Sequence, residues 1–295
     1  MILLLIFTAL VLGVPLLSYG LYLRMNARAG LLQRACELCG GSLFWPLLRA
    51  AVNSVWSIAL VILAYPLGWL PQPRPRPCGP GLPPVVLTHG LYHNASAWFL
   101  YRRRLRRAGF ADVRTDAYPS FFKPIEAIVE GLVQEALAAA AASPTGKALL
   151  VGLSLGGMVT RAALADARLK GRVAGVLLIC APHGGSALAP RFALGRLARG
   201  LAPNGSIVRC VNGPLGVDAL GPGVPRLSIY TPMDNIVLPL SSVRLRPELL
   251  ALGWAEVCAP PVSHVGMLYD RRVVALGVEF LLRAASRPAS PEACP

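Results

Sequence analysis

Residues 148–160 read ALLVGLSLGGMVT. An apolar run climbs to Gly152, reaches Ser154 and leaves through Gly156 and Gly157. A serine hydroxyl is a weak nucleophile until a base takes its proton. Ser154 therefore has chemical meaning only if the chain also supplies a base and a group to orient that base. The run before it has the composition of a buried strand, and a helical pattern opens after it. In that setting Gly-x-Ser-x-Gly makes a sharp strand-to-helix turn that lifts the hydroxyl above the sheet edge. Gly152 and Gly156 are required there because a side chain would collide with the neighbouring strand and helix.

The chain has four histidines. His89 and His93 precede Ser154, His183 sits in APHGG, and His264 sits in PVSHVGML between a strand and the final helix. In the order serine, acid, histidine, His264 fits as the base, in a loop able to reach the sheet edge. His183 competes, but Pro182 and two glycines around it suggest a structural turn. The acid should follow a strand and precede His264, which leaves Asp218, Asp234, Glu256 and, less well placed, Glu248. Asp234, in SIYTPMDNIV, stands at a strand's C-terminal end, where it could hold the imidazole tautomer. An oxyanion needs two backbone N–H donors. Leu155, directly after the serine, supplies one, and Leu91 in VVLTHGLYHN supplies the other, Gly90 letting the chain turn close to the site.

Short apolar runs at 85–87, 113–117, 148–153, 173–180, 227–231 and 255–259 alternate with helical patterns at 95–108, 124–142, 155–169 and 271–285. Such alternation predicts an α/β domain, a mostly parallel sheet with helices on both faces. Continuous apolar strands such as VLLIC agree, since parallel strands are buried on both faces. Residues 186–224, rich in Gly, Pro and Arg, break the rhythm and read as an insertion, either a lid over the site or a surface connection.

The N-terminus departs from this pattern. Residues 2–23 are uncharged and at about 1.5 Å per residue make a helix of about 33 Å, enough to cross a bilayer. The apolar run exceeds a signal-peptide core and has no basic residue before it, so an uncleaved anchor is expected. A second segment, 51–70, carries Trp56, Tyr65 and Trp69, which suit membrane interfaces. Residues 1–70 are thus expected to be an anchor of two transmembrane helices. Arg24, Arg28, Arg34 and Arg49 lie between them, placing that connection in the cytoplasm and the rest of the chain beyond the opposite face, the periplasm in a bacterium. PQPRPRPCGPGLPP, residues 71–84, reads as a stiff proline-rich linker, 85–287 as the α/β domain, and 288–295 as a tail.

Composition excludes little. The chain has 29 Lys and Arg against 14 Asp and Glu, a formal charge of +15. Without finger spacing or a basic helix with interleaved base-stacking aromatics, nucleic acid is not expected as a partner. The basic run at 102–107 reads as a solvated helix face or as a contact for anionic headgroups. Of seven cysteines, Cys36 and Cys39 form a CELC pair, read as a redox pair or two ordinary thiols, and Cys210 with Cys258 would suit a disulfide in an exported domain. The spacing predicts no metal site and no cofactor.

VVLTHGLYHN, VGLSLGG, ICAPHGGS, YTPMDNIV and SHVGML together resemble the α/β-hydrolase fold, and within it bacterial lipases and esterases. The resemblance runs from about residue 84 to 282. It implies Ser154, Asp234 and His264 as a catalytic triad, Leu91 and Leu155 as oxyanion donors, and an ester or lipid substrate. Many such lipases carry a calcium-binding Asp two residues after the histidine; Gly266 stands there in this chain. The expected activity is a membrane-anchored serine hydrolase of acyl or lipid-like esters. An acyltransferase or thioesterase would use the same machinery, and a non-catalytic membrane-associated binding or assembly module would keep only the fold.

Overall fold

The computed structural model describes residues 1–70, 81–192 and 194–286, leaving aside the side chain of Leu215. Most of the expected linker, the expected tail, Cys78 and Cys294 lie outside the described residues.

Two long apolar helices come first, α1 (Ile2–Arg28) and α2 (Phe44–Trp69). The second begins earlier than the apolar run suggests, because Pro46 sits in its first turn, where its missing N–H costs nothing. It is α-helical to Ala64 and closes with a 3-10 turn. Six strands follow: β1 (Val85–Thr88), β2 (Val113–Asp116), β3 (Ala148–Leu153), β4 (Val173–Ile179), β5 (Arg226–Tyr230) and β6 (Trp254–Cys258). They form one sheet in the order β2-β1-β3-β4-β5-β6, and every neighbouring pair is parallel. The C-terminal ends of the strands therefore share one edge, and the loops leaving β1, β3, β4, β5 and β6 gather there.

Side chains alternate across the sheet with period two and build two cores. Val86, Leu150, Val176 and Leu178 pack with α4 (Ile125–Ala141) and α5 (Leu155–Ala163). Val85, Leu87, Leu149, Val151, Leu177 and Ile179 pack on the opposite face, with α3 (Phe99–Arg107) and α6 (Arg271–Ala285). Each fully buried Leu or Val contributes about 1.5–3 kcal/mol of transfer free energy. The fold is the expected α/β one, with helices on both faces.

The single helix expected at 155–169 is two pieces. Asp166 accepts a hydrogen bond from the Arg168 N–H at 2.9 Å and starts a new 3-10 turn, Ala167–Leu169. The insertion holds short helices, among them Arg196–Gly200 and Ser206–Asn212, and its Leu197, Leu201, Ile207 and Val211 belong to the first core. Cys36, Cys39, Cys210 and Cys258 are all free thiols, so neither the CELC pair nor Cys210 with Cys258 is bridged.

A third core joins the N-terminal helices to the α/β domain. Tyr19, Tyr22, Ala35 and Ala50 are buried with Tyr230, Met233, Leu238 and Leu240, and Leu31, Leu38 and Leu43 pack around them. The connection between α1 and α2 packs on the α/β domain. Apolar residues stay bare along α1, among them Ile2, Leu3, Leu4, Leu5, Leu12, Leu16 and Leu17, and along α2, among them the stripe Trp45, Leu48, Val52 and Trp56 and, further on, Leu63, Leu67 and Trp69.

Candidate active site

β3 delivers Ser154 at the sheet edge with φ +51° and ψ −119°. The backbone N–H of Ser154 donates to Ile179 O at 2.9 Å and ties the turn to β4. This left-handed conformation is costly for a residue with a Cβ, and the surroundings enforce it. A Cβ on Gly152 would stand 2.5 Å from Gly156 O. A Cβ on Gly156 would overlap Thr88 O and lie 2.6 Å from His89 O. The two glycines thus let α5 start directly against β1 and its following loop.

That loop carries Gly90 and Leu91. The Cβ position of Gly90 is 3.2 Å from Ser154 Cβ, so the loop runs alongside the serine. The Leu91 N–H has no acceptor among the described residues. Leu155 is the first residue of α5, and the N–H groups of a helix's first turn have no partner within the helix. Both N–H groups are available to an incoming oxygen.

The loop has its own supports, which sequence reasoning missed. His89 is fully buried and stacked on Tyr118, ring centroids 4.2 Å apart. Its Nδ1 lies 2.9 Å from Gly90 O, and its Nε2 accepts the Tyr118 N–H at 3.2 Å. The Tyr118 hydroxyl donates to His89 O at 2.6 Å. Burial lowers the His89 pKa to about 4, against which the hydrogen bonds to Gly90 and Tyr118 push weakly upward. His93 follows in the same loop; its Nδ1 is buried without a partner. Burial, then the nearby charges of His89 and His264, lower its pKa to about 3.

Asp234 and His264 meet. His264 Nδ1 is 2.7 Å from Asp234 Oδ2, with both side chains buried. Asp234 Oδ1 accepts the N–H groups of Ile236 at 2.9 Å and Val237 at 2.7 Å. With three hydrogen bonds the carboxylate is fixed in place, and it commits His264 Nδ1, leaving Nε2 for proton transfer. Asn235 Oδ1 accepts the His264 N–H at 3.2 Å.

The other candidates are occupied elsewhere. His183 is buried between the Arg161 guanidinium at 3.2 Å and Ser228 Oγ at 3.0 Å. Since arginine only donates, His183 Nδ1 accepts and Nε2 carries the proton; burial and then Arg161 hold its pKa well below the ordinary value. Asp218 grips Arg226 through two hydrogen bonds of 2.6 and 2.7 Å. Glu256 holds Arg244 and the Leu245 N–H, and Glu248 pairs with Arg246 at the surface.

Cys180, directly after β4 with φ +48°, lies against Asp234. Its thiol, the Asp234 carboxylate and a His264 nitrogen fall within 4.8 Å of one another, a spacing that could hold a metal ion. The chemistry of the set argues against one. Burial, then Asp234, push the Cys180 pKa well up, so the thiol keeps its proton. A metal would also have to break the His264–Asp234 hydrogen bond. At Gly266, where calcium-binding lipases have Asp, a Cβ would overlap the Asn53 side chain of α2.

A parallel sheet with a glycine-framed serine after β3 and an acid–histidine pair after β5 and β6 defines a class of proteins. Residues 85–291 match the alpha/beta hydrolase family, and the chain belongs to it. No curated protein sequence matches the chain. Among solved structures, it is similar to lipase B of Aspergillus fumigatus, with a TM-score of 0.59 and 22% identity, covering 70% of this chain and 54% of that one. It thus spans about half the length of the fungal lipase. It is also similar to the mature lipase BlEst2 of Bacillus licheniformis, with a TM-score of 0.53 and 19% identity over 71% of this chain and 96% of that one. An esterase of Pyrobaculum calidifontis gives 0.51 and 19% identity over 70% and 76% of the two chains. At these identities the likeness is one of fold.

Proposed function

We propose that this protein is a membrane-anchored serine hydrolase of carboxylic esters with acyl or lipid-like groups. One observation carries the reading: a buried His264–Asp234 pair at 2.7 Å, on the sheet edge that also presents Ser154 in a strained turn. Ser154 Oγ attacks the ester carbonyl while His264 Nε2 takes its proton. Asp234 holds the Nδ1–H tautomer and stabilises the imidazolium. The Leu91 and Leu155 N–H groups receive the developing oxyanion. His264 then protonates the leaving alcohol, and water activated by the same nitrogen releases the acid.

The bare first half of α1 is the membrane-embedded segment, and the Trp45–Trp56 stripe of α2 rests against lipid. Residues 24–49, which carry Arg24, Arg28, Arg34 and Arg49, pack on the α/β domain through Met25, Leu31, Ala35, Leu38, Leu43 and Leu47, and with that packing the positive-inside rule puts the domain on the cytoplasmic face. Cys210, an exposed free thiol, reports on this. In a variant with Cys210 as its single cysteine, a membrane-impermeant maleimide should react only after cells are opened. Labelling of intact cells would reverse the orientation.

The activity is tested on the full chain in detergent with p-nitrophenyl esters of increasing acyl length, Ser154→Ala serving as control. Turnover abolished by Ser154→Ala supports the reading; turnover equal in both proteins contradicts it.

A further inference from the structure

The helices that look like a simple anchor make polar contacts with three loops of the candidate site. On α2, Asn53 Oδ1 accepts the backbone N–H of Ser263 at 3.1 Å and its hydroxyl at 2.7 Å. Ser263 is the residue before His264, and its Oγ also accepts the Gly266 N–H at 3.1 Å. Asn235, the residue after Asp234, donates from its amide to Ser18 Oγ on α1 at 2.7 Å and Ser54 Oγ on α2 at 3.3 Å. Its other end accepts the His264 N–H. The Tyr22 hydroxyl donates to Pro232 O at 2.8 Å, and Asn26 Oδ1 accepts the Leu240 N–H at 2.8 Å. Beside the oxyanion loop, the Asn94 amide donates to Tyr65 O at 2.9 Å.

These contacts bear on chemistry more than on attachment. A helix held only by lipid would need none of them, and buried polar groups on an apolar helix are costly unless paired. Here the pairing falls on the backbone beside Asp234 and His264. A loop after an edge strand is otherwise the least restrained part of the sheet edge, and β6 is an edge strand. Proton transfer needs the imidazole held to within a fraction of an ångström, and a misplacement of about 1 Å can cost about a hundredfold in rate.

We propose that the N-terminal helix pair is part of the catalytic apparatus, with Asn53 and Asn235 as positioning residues that hold the His264 loop in register with Asp234. The inference rests on the triad assigned under the proposed function. The helices thus couple membrane attachment to an ordered site.

The test uses the full chain in detergent micelles, with active sites titrated by the burst of p-nitrophenol. Asn53→Leu matches the side chain's size, suits an apolar helix and removes the acceptor. It should lower kcat per titrated site by about 10- to 100-fold, with KM changed less than about threefold. Asn53→Asp keeps the accepting oxygen and should recover kcat to within about threefold of the parent. Ser263→Ala, a gentler change, should show the same loss in kcat alone and stands in if Asn53→Leu does not fold. A merely structural contact would lower the melting temperature and the titrated fraction while leaving kcat per site unchanged, and that outcome overturns the proposal. Ser154→Ala separates the two readings. If it retains turnover, the triad itself is wrong; if it is silent while Asn53→Leu and Ser263→Ala turn over normally, only the positioning role is.

Discussion

Adding one methyl group at Gly156 should disable the site while leaving the protein folded. The Cβ of Gly156→Ala would overlap Thr88 O and sit 2.6 Å from His89 O. Ordinary contact needs about 3.5 Å, so β1's following loop must retreat by about 1 Å. That loop carries Leu91, and a retreat of this size breaks hydrogen-bond geometry to an oxyanion. Loss of one oxyanion donor costs about 10²–10³ in kcat, roughly 3–4 kcal/mol of transition-state stabilisation. KM should change little, since the donor acts on charge that develops only in the transition state. The control is Gly175→Ala, whose Cβ would lie 2.7 Å from Ala284 Cβ where β4 packs on α6. That substitution should lower the melting temperature by a similar overpacking cost of about 1–3 kcal/mol, with kcat per titrated site intact. Steady-state kinetics and thermal melts of the two variants decide the matter. If Gly156→Ala keeps kcat within threefold of the parent, or if both variants lose it alike, the reasoning from the Gly156–Thr88 contact is wrong.

Other outcomes follow from the same geometry. Asp234→Asn should leave the fold intact but turn an amide donor toward His264, favouring the tautomer that carries its proton on Nε2. kcat should fall by about 10³–10⁴ with KM little changed, and a loss under tenfold would remove Asp234 from the mechanism. Acid should destabilise the protein before it protonates most carboxylates. Folded His89, at about 4, refuses a proton that the unfolded chain binds at about 6.5, so stability is fully present above that value and falls as pH drops through the window. For the fully buried His89 this amounts to about 3 kcal/mol, and His93 and His183 act in the same direction. Asp116 opposes them. Burial raises its carboxyl to about 6, so its contribution grows as pH falls toward its ordinary range. Three histidines outweigh one acid, and melting temperatures should drop between about pH 7 and about pH 4.5; a rise would contradict the burial argument.

The sequence carried the sheet and pointed to the residues of the candidate site, and the reasons are local. Ala148–Leu153 and Arg271–Ala285 match their expected bounds because a continuous apolar run and an amphipathic helix each have a period of their own. The helix expected to run on from Leu155 to Leu169 missed the Asp166 turn, a side-chain cap that competes with helix only at that position. Ser154, Asp234 and His264 could be singled out by type, order and strand ends, although only coordinates bring Asp234 and His264 within 2.7 Å. The docking of α1 and α2 was hidden because an apolar run reads the same whether it faces lipid or protein. A signal was present in Ser18, Tyr22 and Asn26, four residues apart on one face of α1, and in Asn53, Ser54 and Ser57 on α2. Polar residues stacked on one face of an apolar helix call for a protein partner. The surroundings of His89 and His93 are not legible in the sequence, because they depend on Tyr118 and His264, both distant in the chain.

The most direct test of the central claim is covalent. The full chain is treated with a fluorophosphonate ester, digested, and the peptide containing Ser154 is weighed and sequenced by mass spectrometry. The account predicts a single phosphonyl adduct on Ser154, formed much more slowly in His264→Ala and absent in Ser154→Ala. An adduct on another residue, or equal labelling of the Ser154→Ala protein, would contradict it.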